Sequence, residues 1–270
     1  MKRMLTIVFL LAFVFCAPAN PKKKKNCPDH PCPNGISDIG HCPDEGCGPS
    51  DDPKHLVDQE LNRRKNISSD NGPSEIRTIQ SIKDLHHMGR GELTQCGSRE
   101  KLKELGEGKK ITVVAWAATV RAGGQESANC ELPDAQDTDN HIVLFDSSIT
   151  NPVLTKESEY DSVTAEFTPR VRADHHPNFT REMLGPLIDQ NWKPPKKKDS
   201  KGKDPKGKLL VRVTGLLMFD SGHVFGYPLH RATNWEIHPI FKMEFCPEGQ
   251  TCRADSDDHW VDLDKYHPNS

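Results

Sequence analysis

Groups able to bind a metal ion or an anion are concentrated near the C-terminal end of the chain. Asp220 and His223 follow one apolar alternating segment, Arg231 precedes the next, and Glu236 and His238 lie within that second segment. Carboxylates and imidazoles are ligands of divalent cations, and a bound cation can activate water for hydrolysis. Strand alternation places Glu236 and His238 on one face, opposite the apolar residues. A half-exposed strand also has a polar outer face without any function, and this interpretation is the commoner one.

A metal ion would need at least three candidate ligands at bonding distance, roughly 2.0–2.6 Å. The candidate ligands are Asp220, His223, Glu236 and His238. They are separated along the chain, and we expect that they do not all converge. The sequence therefore predicts a ligand-contact surface without a structural or catalytic metal, and a divalent metal is kept only as an alternative cofactor.

Cationic side chains on this surface could bind nucleic acid, another polyanion or a glycan. Trp116 or Trp235 could stack against such a ligand, but Trp235 lies on the apolar face of its segment, which favours burial. The candidate ligand contacts are Arg170, Arg172, Arg212, Arg231, Glu236 and His238. A second polar group could either converge or remain at a strand edge, and it consists of Glu126, Cys130, Asp139 and His141.

Five segments with strand periodicity must position these groups, and they are 111–122, 141–146, 163–168, 209–219 and 235–245. The first is apolar on both faces, as in a strand of a tightly curved sheet. A helix is predicted over 180–190, with a kink or restart at Pro186. Three strands, a short helix and two further strands predict a mainly β protein, a small OB-fold-like barrel with a short helix between strands three and four. The alternative is an open β-sandwich, because one sequence fixes strand pairing poorly.

The other segments are predicted to surround this barrel. Lysines in the loop 193–208 are expected to give only non-specific attraction to anions. The tail is expected to add no core element. The predicted division is a signal peptide at 1–19, a Cys-rich irregular appendage and linker at 20–71, short helices at 72–110, the barrel at 111–246 and an acidic tail at 247–270.

The first residues predict export. Lys2 and Arg3 precede an apolar run over 5–16, and Ala17-Pro18-Ala19 has the pattern of a signal-peptidase site. We expect cleavage near Ala19 and a secreted or periplasmic protein, since no later segment is long and apolar enough to span a bilayer. Acylation of Cys16 is the alternative to cleavage at this site.

Nine cysteines are present, and eight remain if Cys16 is removed with the leader. An even number in an exported chain predicts four disulfides. The expected pairs are two within the cluster Cys27, Cys32, Cys42 and Cys47, one between Cys96 and Cys130, and one between Cys246 and Cys252. A zinc site in the N-terminal cluster is the alternative.

Several motifs together resemble a family of uncharacterised exported bacterial proteins. They are Glu126-Ser127-Ala128-Asn129-Cys130, Asp139-x-His141-Ile142, Thr168-Pro169-Arg170, Val211-Arg212-Val213-Thr214-Gly215, Leu217-Met218-Phe219-Asp220 and Trp235-Glu236-Ile237-His238-Pro239. The resemblance extends from about Cys47 to Cys246 and is most specific in the last motif. It implies an exported protein and brings no established activity.

Three functions are compatible with these residues. The fold favours a secreted OB-like binding module for nucleic acid, another polyanion or a glycan. A metal-dependent hydrolase or nuclease is the alternative, and a non-catalytic structural or surface-association protein is the second alternative. Serine nucleophile chemistry finds no support, because Ser127 lacks the G-x-S-x-G surround, and no Gly-rich phosphate loop precedes a helix.

Overall fold

The computed structural model describes residue 27 and residues 29–48, 57–150, 152–190, 208–225 and 229–267. The predicted signal peptide lies outside these residues, as does the lysine-rich loop except for Lys208. Within the described part of the chain, no helix is long and apolar enough to cross a membrane.

Seven strands, seven α-helices and four 3-10 helices of three residues each are found in the described residues. The strands are β1 (Glu75–Arg77), β2 (Lys110–Ala122), β3 (Asn140–Asp146), β4 (Val163–Phe167), β5 (Leu209–Phe219), β6 (Trp235–Phe245) and β7 (Val261–Asp262). The helices are α1 (Gln59–Lys65), α2 (Ile79–Lys83), α3 (Glu100–Glu104), α4 (Lys156–Glu159), α5 (Pro169–Asp174), α6 (Arg181–Gln190) and α7 (Gly222–Phe225).

Five of the strands close into a barrel. The neighbours follow the order β2-β3-β4-β6-β5, and β5 pairs back onto β2 along its length. All contacts are antiparallel except that between β4 and β6, where Ala165 lies opposite Ile237. Helix α6 lies between the third and fourth barrel strands in the chain, with Pro186 inside it. The predicted OB-like barrel is confirmed, and the open sandwich is wrong.

The barrel closes around a continuous apolar core. Val113 and Ala115 of β2 are fully buried, and so are Ile237 and Trp235 of β6. Gly215 allows β5 and β6 to approach closely, since a Cβ there would lie 2.3 Å from the carbonyl oxygen of Pro239. The ladder shifts register on both sides of this residue, which bends the strands as barrel closure requires.

Four disulfides stabilise the chain, and two of the expected pairings are wrong. The structure contains Cys32–Cys47 and Cys246–Cys252, as predicted. It also contains Cys27–Cys96 and Cys42–Cys130, so Cys96 and Cys130 are not partners. The N-terminal cluster is therefore not a zinc site. The pairing differs because the Cys-rich segment docks against the connection between β2 and β3, and its buried side includes Cys130 and Leu132 of that connection.

The C-terminal tail contributes to the core, contrary to expectation. Strand β7 pairs with the end of β6, with Asp262 opposite Glu244. The turn that follows places Leu263 in the main core with no exposed surface. A strand of two residues has no periodicity, so the sequence pattern could not reveal it.

We predict that Leu263→Ala lowers the free energy of unfolding by about 2–5 kcal/mol, because truncation of a buried leucine leaves a cavity. Urea denaturation followed by tryptophan fluorescence measures this change. Lys265→Ala is the matched control in the same turn, since the lysine side chain is 83% exposed, and it should change stability by less than about 0.5 kcal/mol. Equal effects of the two variants would contradict the assignment of the tail to the core.

Candidate metal centre on the covered face of the barrel

Strand alternation sends a set of polar side chains to the outer side of the barrel. Ile142 of β3, Ala165 of β4 and Ile237 of β6 belong to the core. Their sequence neighbours therefore point away from it, because successive side chains of a strand alternate between faces. We call the outer side of β3, β4 and the first half of β6 the covered face, and its ionisable residues are His141, Glu166, Glu236 and His238.

The covered face is buried, although the sequence predicted a half-exposed polar surface. Glu236 and His238 have no exposed surface, and Glu166 is 3% exposed. The reason is a second layer of chain outside the barrel, which includes α1 and the β2–β3 connection at residues 123–139. Lys65 of α1 is itself buried and donates to Glu126 of that connection, with 2.6 Å between Nζ and Oε2. A period-2 pattern cannot distinguish solvent from such a cover.

Three side chains converge within the covered face. Asp139, which immediately precedes β3, joins Glu166 and His238, and one ligand atom of each lies within 4.8 Å of the others. His238 Nδ1 is 3.0 Å from Glu166 Oε2, and His238 Nε2 is 4.0 Å from Asp139 Oδ2. Neither carboxylate oxygen of Asp139 has a hydrogen-bond partner among the described residues, although the residue is 1% exposed. Such an uncompensated carboxylate is costly to bury.

The residues of the β5–β6 connection form an ion-pair chain beside this group. Arg231 lies between two carboxylates, at 2.8 Å from Asp220 Oδ2 and 2.8 Å from Glu236 Oε2. His223 hydrogen-bonds to Asp220. Glu236 in turn lies 3.2 Å from His238 Nδ1. This series of ion pairs runs from the half-exposed imidazole of His223 to the buried imidazole of His238.

Asp220, His223, Glu236 and His238 therefore belong to one connected series of ion pairs. They nevertheless do not form one metal site. Asp220 is occupied by His223 and Arg231, and Glu236 by Arg231 and His238. Only His238 belongs to the group with metal-ligand geometry. Its partner Asp139 belongs to the second polar group that the sequence indicates. Glu166 has no such signal, because it is a single acidic residue in an alternating strand.

Burial and neighbouring charges shift the ionisation of the cluster. Burial lowers the pKa of His238, but Glu166, Glu236 and Asp139 outweigh it and raise the pKa to about 10. Burial and the nearby charge of Glu126 raise the pKa of Asp139 to about 6. Burial acts against ionised Glu166, yet His141 and His238 hold its pKa well below the usual value. The cluster therefore favours cations and disfavours the ionised form of Asp139.

The charges of the cluster are not balanced by permanently charged side chains. Five carboxylates take part, those of Glu126, Asp139, Glu166, Asp220 and Glu236, and each interacts with another member of the cluster. Lys65 and Arg231 lie among them, and Arg172 interacts with Asp139 from the edge. At least two negative charges then remain, which protonated histidines or a bound cation must neutralise.

A divalent cation suits the unsatisfied atoms of this centre. Asp139 and Glu166 supply carboxylate oxygens and His238 an imidazole nitrogen, which are ligand types of zinc and of related divalent ions. Glu236 can accept the Nδ1 proton of His238 and thereby leave Nε2 for the ion. A carboxylate that orients a ligating histidine in this way is a common feature of metal sites.

The other arginines proposed as ligand contacts are bound inside the protein. Arg170 donates to the carbonyl oxygen of Pro43 at 2.9 Å and also to that of Cys42. Arg172 donates to the carbonyl oxygens of Gln136 and Thr138 at 2.6 and 2.9 Å.

Arg212 has its donors engaged as well. It pairs with the buried Glu244 at 2.6 Å and reaches Asp257 in the tail at 2.7 Å. With Arg231 enclosed between two carboxylates, the four arginines hold segments of this chain together. They do not form the cationic surface that the sequence predicted.

No protein-family model, curated protein or solved structure matches this chain.

We predict that the metal-free protein loses stability as the pH rises from about 6.5 to about 10. His238 has a raised pKa in the folded state, so its stabilising contribution is complete below the unfolded pKa of about 6.5. It is lost as the pH passes through the folded value of about 10. Urea denaturation at a series of pH values measures the slope.

His238→Gln should flatten this part of the pH profile. His175→Gln is the matched control, since that imidazole is exposed and its ring contact is with His176. A slope that His238→Gln leaves unchanged would show that His238 is not protonated in the folded protein.

Proposed function

We propose that the protein is an exported, divalent-cation-dependent hydrolase whose cation is held by Asp139, Glu166 and His238. The observation that carries the proposal is the carboxylate of Asp139, which is buried, lacks hydrogen-bond partners among the described residues and faces two other ligand groups. A bound cation would satisfy these atoms and would take the place of the proton that His238 holds in the metal-free protein. When bound, it would lower the pKa of a water molecule and so generate a nucleophile.

We infer an anionic ester as substrate, because a bound cation would polarise a phosphoryl oxygen as well as activate water. Lys65 and Arg231 provide fixed positive charges, because neighbouring carboxylates keep the pKa of each raised despite burial. Both are already paired with carboxylates of the cluster, so the charge that would meet an anionic substrate is that of the bound cation. His141, whose side chain is 35% exposed, lies 3.5 Å from Glu166 and is the partly exposed imidazole of this face.

The position of the centre in the fold supports the same proposal. OB-folds bind ligands on the face of their second and third strands and with the loops that follow strands one and four. The corresponding elements here are β3, β4, the β2–β3 connection and the β5–β6 connection. These elements supply Asp139, Glu166 and Arg231. This support is an analogy of fold, and the chemistry depends on the residues.

A binding module for nucleic acid, another polyanion or a glycan is the second candidate, and the barrel topology favours it. The internal pairing of the four arginines reduces its support, since those donors are already engaged. A structural role outside the cell is the third candidate. Export itself is part of the proposal, and it is supported by the leader-like first residues and by four disulfides, which persist in oxidising compartments.

We predict that the purified protein binds Mn²⁺ or Zn²⁺ and cleaves an anionic ester, and that a chelator abolishes the cleavage. Isothermal titration measures binding, and nucleic acids, sulfated glycans and an aryl phosphodiester serve as substrates. Asp139→Asn and His238→Gln should each weaken cation binding by more than the ~10–100-fold that loss of an outer-shell partner costs.

Asp134→Asn is the matched control, because Asp134 is exposed in the same connection and caps no helix by its side chain. It should bind and cleave as the wild type does. Retention of a polyanion without cleavage, insensitive to chelator, would support the binding module instead. Absence of cation binding would refute the proposed centre.

A further inference from the structure

The β2–β3 connection carries two acidic groups of the cluster, Glu126 and Asp139, yet it has little regular structure of its own. Two single 3-10 turns, Ser127–Asn129 and Ala135–Asp137, are its helical elements. Glu126 precedes the first turn, and Asp139 follows the second. The placement of these carboxylates therefore depends on what the connection is bound to.

Residues preceding the barrel supply that support. Asn66 of the α1 C-terminus donates to the carbonyl oxygen of Ala128 at 2.9 Å, and Asn62 donates to the hydroxyl of Ser127 at 3.1 Å. The Cys-rich segment adds two backbone donors, from Cys47 to the carbonyl oxygen of Ser127 at 2.9 Å and from Ile39 to Asp137 at 3.0 Å. The Cys42–Cys130 disulfide links the two segments covalently.

The connection is strained at the point of this link. Cys130 and Glu131 have φ values of 54° and 57°, in the left-handed region that residues with a side chain rarely adopt. Such a conformation is costly for a residue with a side chain and persists only where its surroundings fix it. The disulfide and the surrounding hydrogen bonds provide this constraint.

We propose that the Cys-rich segment and the Cys42–Cys130 disulfide position the cation centre, and that cation affinity depends on this disulfide. The inference rests on the proposed function. Cys42 and Cys130 are positioning residues, since they act on Asp139 and Glu126 through the connection and touch neither the ion nor a substrate. The segment that the sequence suggested as an appendage is then a part of the functional site.

A disulfide that only stabilises the fold would behave differently. Cys246–Cys252 lies past the C-terminal end of β6, whereas Glu236 and His238 lie near its start. Its removal should lower stability without moving the centre. The two disulfides thus form a matched pair, of which one is linked to the β2–β3 connection and one is distant from it.

The test compares Mn²⁺ affinities by isothermal titration under conditions in which circular dichroism shows each variant to be folded. The Cys42→Ser/Cys130→Ser variant should bind Mn²⁺ about 10–100-fold more weakly than the wild type, as loss of outer-shell support does. The Cys246→Ser/Cys252→Ser variant should remain within about twofold, as expected for distant sites. Asn66→Ala keeps every disulfide and should weaken binding by a smaller factor.

The inference is wrong if the folded Cys42→Ser/Cys130→Ser variant binds Mn²⁺ as the wild type does. It is also wrong if both disulfide variants lose affinity equally. If the first variant does not fold, Asn66→Ala decides, and unchanged affinity in that variant overturns the inference. A wild type that binds no Mn²⁺ would instead refute the proposed function, so the two failures are distinguishable.

Discussion

Burial of negative charge on the outside of the barrel is the constraint on which the rest of this structure depends. A carboxylate removed from water is stable only if it gains hydrogen bonds or a counter-charge. Arg231 meets this requirement for Asp220 and Glu236, and Lys65 meets it for Glu126. Asp139 has no comparable partner, and the elevated pKa of its carboxyl group is the consequence. The same imbalance that makes the centre costly also makes it a place where a cation would bind.

The barrel could be predicted because its strands have strong local signals. The second layer outside it, which includes α1 and the β2–β3 connection, could not be predicted. Trp235 and Ile237 alternate with Glu236 and His238, so the sequence correctly separates the inner from the outer face. It does not reveal that α1 lies over the outer face, because this contact joins residues far apart in the chain. Disulfide pairing is hidden for the same reason, since Cys27 and Cys96 are separated by 69 residues. Asp139 and Glu166 each lie on a different element, and only the closed barrel brings them together.

The arginines illustrate how a cationic residue can be misinterpreted from sequence alone. Arg212 follows the pattern of a strand residue with a free charged end, yet it joins β5, β6 and the tail through Glu244 and Asp257. A planar guanidinium with five donors is suited to such buried links between segments. The charge of an arginine therefore indicates that the side chain has a partner. It does not show whether that partner is solvent, a ligand or another part of the protein.

The cover also determines how an ion or substrate could approach the centre. Exclusion of water strengthens every electrostatic interaction inside, including the attraction of Asp139 and Glu166 for a cation. The partly exposed acidic and imidazole groups at its edge are Glu126 and His141, whose side chains are 27% and 35% exposed. Both lie where β2 leads into the β2–β3 connection. Gly123 occupies this position, and a Cβ there would lie 3.2 Å from His141 Nε2 and 2.9 Å from the carbonyl oxygen of Asp139. The absence of a side chain at residue 123 therefore leaves room for the imidazole of His141, whose Nε2 is a buried atom facing Glu166. Any larger residue here would displace this imidazole or the backbone of Asp139, and with it two side chains of the candidate metal centre.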